Sequence, residues 1–395
     1  MTLHKPYNNL YVKKATGKVQ EWEIYVEEES DNTVYLTMKY GEMNGKKITR
    51  SKQIKTTKAG RSFVEEALKQ AETKYNEKVN KEGYSDDPNA DPMLVIRPML
   101  ANKFNMNKPN MNFPCIGEPK CDGNRGIIYQ KNGDIVIESR NGTYIHYFDH
   151  IREEVADLLK NLSLNTIETF YLDGELFTHD LTFNVINGLC NKKPSKAKLT
   201  AKKAVKYEQD ALHMAKIKYY VFDCFNIKDL NMSLLNRKKL LKSLFKNKNF
   251  KHLVLIEGEV LNNVKDVKLK HDEYVKNGGY EGIILRDLQS SYELKKRSKY
   301  LQKYKEFQDE EFIIIDYEED VDGGVVWVCE TNITPKTKFN VRPRGDMEYR
   351  REMFTNAKKY MGAKLIVVYQ EYTDDENGVP RFPVGKDFRN LQDLN

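Results

Sequence analysis

Cysteine is scarce in this chain: Cys115, Cys121, Cys190, Cys224 and Cys329 are the five in 395 residues. The set is odd in number and scattered, with no C-x-x-C pair. That pattern excludes a zinc ribbon or a disulfide framework and makes reduced thiols in an intracellular setting the expectation. Long apolar runs are missing too. With no stretch of about 18 apolar residues, no membrane span is expected. Met1-Thr2-Leu3-His4-Lys5-Pro6 lacks the apolar core of a secretion signal, so the protein is expected not to be secreted. Nor does one sign of charge dominate, since 65 Lys and Arg stand against 58 Asp and Glu for a net charge of +7. This modest excess suits a polyanionic partner without demanding one. What is present is a 39% hydrophobic fraction, enough for real cores in two or three domains.

Residues 1–84 read as a small α+β unit. Trp22, Ile24 and Val26, then Val34, Leu36, Met38 and Tyr40, alternate with polar residues as half-buried strands do. Phe63, Ala67, Ala71, Tyr75 and Val79 recur every four residues, which is one helical stripe, and Gly83 ends it. Lys46, Lys47, Arg50, Lys52, Lys55 and Lys58 offer either a nucleic-acid surface or a solvated basic face. Residues 85–92 are polar and punctuated by Pro88 and Pro92, as a linker is. From 93 to 306 strands and helices interleave: a hairpin around Lys131-Asn132-Gly133, and a leucine-striped helix from Ser233 to Phe245. From 307 to 395 the texture is short strands, Phe312–Tyr317, Val325–Cys329, Lys338–Val341 and Lys364–Tyr369. One helix, about Asp346 to Tyr360, interrupts them, which suggests a small Greek-key barrel.

The most informative stretch is Glu118-Pro119-Lys120-Cys121-Asp122-Gly123-Asn124-Arg125. A lysine amine is a nucleophile only without its proton, and the reference pKa of about 10.4 leaves few amines neutral near pH 7. Neighbouring cations, a metal or burial can change that. Cys121 has no histidine near it in sequence, so it reads as a filler thiol and not as a nucleophile. The run resembles the nucleotidyl-lysine motif K-x-D-G-x-R of the covalent nucleotidyltransferases, which include ATP-dependent DNA ligases, RNA ligases and mRNA capping enzymes. Arg97-Pro98-Met99-Leu100-Ala101 is similar to the segment leading into this domain in the DNA ligases. Further ordered segments match: Ser139-Arg140-Asn141-Gly142, Tyr171-Leu172-Asp173-Gly174-Glu175, Tyr219-Tyr220-Val221-Phe222, Glu281-Gly282-Ile283-Ile284-Leu285-Arg286 and Gln302-Lys303-Tyr304-Lys305.

The resemblance covers roughly residues 95–390. It implies an α+β chain with an ATP-grasp-like nucleotidyltransferase ligase core, a C-terminal OB-fold β-barrel and a small N-terminal α+β domain. The first 84 residues resemble a WGR-type domain, with Tyr40-Gly41-Glu42 where Trp-Gly-Arg would stand. Lys120 is then expected to take AMP from ATP. Glu118, Arg125, Arg140, Glu175, Phe222, Lys303 and Lys305 are expected to bind the nucleotide, with Phe222 stacking on adenine and Tyr220 its runner-up. Glu281 and Glu175 are expected to hold Mg2+ or Mn2+. Lys303 and Lys305, alternating about Tyr304, are expected to face one side and bias Lys120 toward its neutral form. Arg381, Lys386 and Arg389 near the end are similar to a motif that contacts pyrophosphate, although Asn390 departs from it. Lys192 and Lys193 open a lysine-dense segment, continued by Lys196, Lys198, Lys202, Lys203 and Lys206, that could meet DNA phosphates. The implied activity is ATP-dependent sealing of nicked double-stranded DNA by a monomer. An RNA ligase or capping-type enzyme, or a non-catalytic DNA-end binding protein, stands as the alternative.

Overall fold

The computed structural model describes residues 2–14, 16–57, 60–90, 95–194, 201–373 and 378–389. Lys58, Asp91, Pro92, Lys196, Lys198 and the tail from Asn390 lie outside them, as do the side chains of Lys202 and Lys203.

The N-terminal strands form one antiparallel sheet, in the order Thr2–His4, Val19–Glu28, Val34–Glu42, Lys47–Gln53, with Leu10–Lys13 also paired to Val19–Glu28. Cross-strand partners share a face, so Trp22 and Tyr40, Ile24 and Met38, Val26 and Leu36 line one side. The helix Phe63–Glu82 covers that side and buries Ala67 and Ala71. Its ends follow its sequence. Ser62 and Glu65 form a reciprocal capping box, and Gly83 closes the helix at φ 77°, a left-handed conformation that glycine adopts without a Cβ penalty.

Two five-stranded sheets follow. One runs Glu259–Leu261, Cys115–Lys120, Gly282–Asp287, Arg297–Tyr304, Leu100–Lys103; the other runs Leu253–Leu255, Lys218–Asn226, Phe170–Phe177, Asn124–Lys131, Asp134–Ser139. The lysine motif is the crossing point between them. Lys120 ends a strand of the first sheet and Asn124 begins a strand of the second. The turn between must pass close under the Phe170–Phe177 strand. At Gly123 a Cβ would strike the Leu176 carbonyl oxygen, which is why glycine stands there. The main core lies on the helix-covered face of the second sheet, where Ile128, Ile137, Leu172, Val221 and Leu241 meet.

The C-terminal strands close a barrel, Gln308–Glu319, Val325–Glu330, Lys338–Pro343, Val384–Arg389, Lys364–Tyr369. Trp327, Phe312 and Leu365 fill it. The helix Met347–Thr355 and a 3-10 turn at Ala357–Tyr360 interrupt it where the sequence places a single helix. The Val384–Arg389 strand is absent from the sequence reading. Only Val384 and Phe388 are apolar in it, and no period-2 pattern marks it. Its pairing comes from both neighbours, parallel to Arg342-Pro343 and antiparallel to Lys364–Val368.

Candidate active site

Lys120 sits at the mouth of a cavity of about 530 Å3 between the two sheets, within the usual range for small-molecule sites. Glu118, Arg125, Arg140, Glu175, Phe222 and Lys303, named from the sequence, line it together with Lys120. They come from five separate stretches of chain, so the fold assembles them. Arg286, Arg297, Asn187 and Asn191 line it too. No site role was read for these four from sequence. Arg286 was visible as the last position of the Glu281-Gly282 motif, whereas the asparagines carry no local signal.

The amine of Lys120 is not free. Its Nζ bonds to a carboxylate oxygen of Glu281, whose other oxygen accepts from Lys305 Nζ at 2.7 Å. Burial pulls the Lys120 pKa down, but Glu281, then Glu175 and Asp122, outweigh it and the net shift is upward. The expectation of an amine biased toward neutrality is therefore not met in this arrangement. Glu281 answers in kind. Burial raises its pKa, yet Lys120 and Lys305 more than offset that and it ends lowered. Lys303 and Lys305 both stand near Lys120 and Glu281, although the strand itself ends at Tyr304. Lys303 lines the cavity, and Lys305 reaches Glu281 and the side chain of Gln370 from the barrel.

Glu175 differs from Glu281. Among the described residues its carboxylate makes no hydrogen bond or ion pair. Burial raises its pKa to about 7 against the pull of Lys120 and Arg125. Behind the cavity lies a dense ionic layer. Arg125 grips Asp173 with Nε at 2.8 Å and a second nitrogen at 2.5 Å. Asp223 accepts from Arg237 at 2.8 and 3.1 Å and from Arg286 at 2.6 Å. Glu118, 1% exposed, is held by Lys238 and by Arg286 Nε at 2.8 Å. Phe222 lies within this layer, with Arg125 and Arg286 at 5.2 and 5.1 Å from its ring centre. Tyr220 is buried instead in the core against Phe177, with ring centres 5.3 Å apart.

Besides Gln370, the barrel meets the site through Arg381. Arg381 donates to Asp122 of the lysine motif at 2.7 Å and also binds Glu371. Lys386 and Arg389 do not reach the cavity; they pair with Asp309 at 3.6 Å and with Glu311 on the barrel surface. Lys192 is likewise taken up, by Asp210 and by the Tyr207 ring 4.1 Å away, while Lys193 is exposed. The one cluster of metal-ligating side chains found among the described residues, His271, Asp272 and Glu306, already holds a cation. Lys268 Nζ stands 2.5 Å from Asp272 and 2.8 Å from Glu306.

Residues 98–305 match the family described as the ATP dependent DNA ligase domain. The DNA ligase of African swine fever virus is 30% identical over 357 residues, spanning 85% of this chain and 77% of the relative. The chain belongs to the ATP-dependent DNA ligases. The DNA ligase of Enterobacteria phage T4 is 26% identical over 256 residues, 55% of this chain and 50% of its own. Among solved structures, Pmar-Lig_PreS3 aligns at a TM-score of 0.61 with 20% identity, over 84% of this chain and 72% of that one. A Lig E DNA ligase aligns at 0.55 with 20% identity, over 75% and 100%. These two likenesses concern fold alone. The ligase is thus an enzyme that uses ATP, and its K-x-D-G-x-R run lies inside the matched segment. No helix among the described residues is long and apolar enough to cross a membrane.

Proposed function

We propose that this ligase seals 5′-phosphate/3′-hydroxyl nicks in duplex DNA through a lysyl-AMP intermediate on Lys120. The observation that carries the proposal is the setting of that one amine. It ends a strand, bonded to Glu281 and open to a cavity of adenylate size lined by Arg125, Arg140, Lys303 and Phe222. In the first step the neutral Lys120 nitrogen attacks the α-phosphate of ATP. A nitrogen–phosphorus bond forms, the bond to the bridging oxygen breaks, and pyrophosphate leaves. The AMP then passes to the DNA 5′-phosphate, and attack by the 3′-hydroxyl joins the strands and releases AMP. Each step is a displacement at phosphorus, so the protein contributes alignment and charge neutralisation.

The roles divide by position. Phe222 stacks the adenine, Glu118 with its clamp of Lys238 and Arg286 shapes the base end, and Arg140 and Lys303 meet phosphates. The proton that Glu281 keeps on Lys120 passes to solvent before attack, and the amine's next proton follows as the nitrogen–phosphorus bond forms. A divalent cation fits this chemistry. Glu175 offers an unpaired, half-buried carboxylate on the cavity wall, and Glu281 becomes available once its lysines turn to phosphate. Two acids completed by water and phosphate oxygens suit Mg2+ or Mn2+. When bound, such an ion would draw charge from the phosphates. Units 1–84, 93–306 and 307–395 act as a DNA-gripping unit, an adenylation domain and an OB-type barrel. Arg381 is the barrel's cation for pyrophosphate. Lys386, Arg389, Lys192 and Lys193 reach phosphates only on a rearranged or DNA-bound protein.

Incubation with α-labelled ATP and Mg2+ tests the reading. Label should remain on the wild-type chain after denaturation and be absent from Lys120→Ala; retention by the alanine variant refutes it.

A further inference from the structure

The N-terminal unit touches the adenylation domain at a place that backs directly onto the cavity. Ser85 is tied to the N-terminal sheet by Tyr11, through backbone bonds of 2.6 and 2.9 Å. Arg97 lies twelve residues further on. The guanidinium of Arg97 donates to the carbonyl of Asn80, in the last turn of the N-terminal helix, at 3.1 Å. It also lies 3.7 Å from Glu138, at the end of the strand preceding the Ser139-Arg140-Asn141-Gly142 turn. It packs so tightly over Gly142, at φ 75°, that a Cβ there would fall within the guanidinium itself. That turn supplies Ser139, Arg140 and Asn141 to the cavity wall. On the other side, the backbone N–H of Lys295 donates to the Arg97 carbonyl at 3.2 Å. Two residues on, Arg297 also lines the cavity.

One arginine therefore joins three things: the helix end of the N-terminal unit, the turn bearing Arg140, and the loop leading to Arg297. A planar guanidinium with several donors can stack on a glycine and bond a helix-end carbonyl together, which a lysine ammonium cannot. The last carbonyls of a helix lack intrahelical partners, so a cation there is well placed. We propose that Arg97 is a positioning residue: it fastens the N-terminal unit to the Ser139–Gly142 turn and so sets how the cavity holds ATP. The proposal rests on the reading of Arg140 as a nucleotide contact. It makes the N-terminal unit part of the adenylation machinery, beyond any grip of its own on DNA.

Two measurements on the full-length chain test it. The first is amide hydrogen exchange across residues 139–143 in wild type, Arg97→Ala and Arg97→Lys. Exchange should rise at least several-fold in Arg97→Ala, with partial recovery in Arg97→Lys. The second is the rate of Lys120 adenylylation against ATP concentration. Loss of a contact made equally in ground and transition states raises KM and spares kcat, so Arg97→Ala should raise KM for ATP about three- to tenfold with kcat within about twofold. Unchanged exchange in Arg97→Ala, or a fall in kcat alone, overturns the proposal. Arg140→Ala separates the two readings. If it leaves KM unchanged while Arg97→Ala loosens the turn and raises KM, the fastening stands and the assignment of Arg140 fails.

Discussion

Removing Asp223 should be among the most damaging single changes in the adenylation domain, although Asp223 touches no substrate. Its carboxylate is fully buried and accepts from Arg237 twice, from Arg286 and from the Cys224 backbone N–H. Burial pushes its pKa up, but Arg237 and Arg286 prevail and bring it down to about 2. Against an unfolded value near 3.9, this carboxylate stabilises the fold by roughly 2–3 kcal/mol. That contribution is present above about pH 4 and fades as pH falls through about 2. Asp223→Ala goes further, because it leaves the Arg237 guanidinium without an acid partner among the described residues and Arg286 with Glu118 alone, and breaking a buried ionic cluster from one side costs about 3–5 kcal/mol. Hydrogen exchange of the strand Lys218–Asn226, read against wild type, should therefore quicken by about two to three and a half orders of magnitude. Adding Arg237→Met to the alanine variant should recover part of the loss, since the unpaired charge goes with it. An alanine variant within about 1 kcal/mol of wild type would refute the view that this layer is held by mutual neutralisation.

Three further outcomes follow from the geometry. Gly123→Ala forces a Cβ against the Leu176 carbonyl and should lower the adenylylation rate by about a hundredfold, the scale of a 1 Å misplacement, while the chain keeps its native circular dichroism. Trp327→Ala empties the centre of the barrel core and should destabilise that unit by about 3–5 kcal/mol, seen as early barrel unfolding in urea with the adenylation domain still protected from exchange. Glu175 holds its proton up to about pH 7, and a divalent cation must displace that proton. Cation affinity should therefore climb as pH rises toward 7 and then level off, with proton release on binding below that pH. Calorimetry in buffers of different ionisation enthalpy reads this directly, and Glu175→Gln should abolish the dependence.

Much of this was legible in the sequence, for identifiable physical reasons. The N-terminal strands and helix announce themselves by period and caps, Ser62 to Gly83 above all. The lysine motif is local, so its turn and its glycine can be read in a line. Four of the five barrel strands show as short runs rich in β-branched and aromatic residues; Val384–Arg389 does not and is recruited by its neighbours. The ionic layer was hidden because its members lie far apart in the chain: Glu118 with Lys238 and Arg286, Asp173 with Arg125 and Tyr292. Sequence shows charges without showing which of them are buried together. For the same reason the clamp of Glu281 on Lys120 was unforeseeable, and the amine's neighbours were counted as cations when the nearest is a carboxylate.

The account turns on Lys120 as the carrier of AMP. Intact-mass analysis after incubation with ATP and Mg2+, followed by peptide mapping, tests this most directly. The expected result is a gain of one adenylate located on Lys120 and lost when nicked duplex is added. Adenylate on another side chain, or an unmodified chain that still seals nicks with ATP, would contradict it.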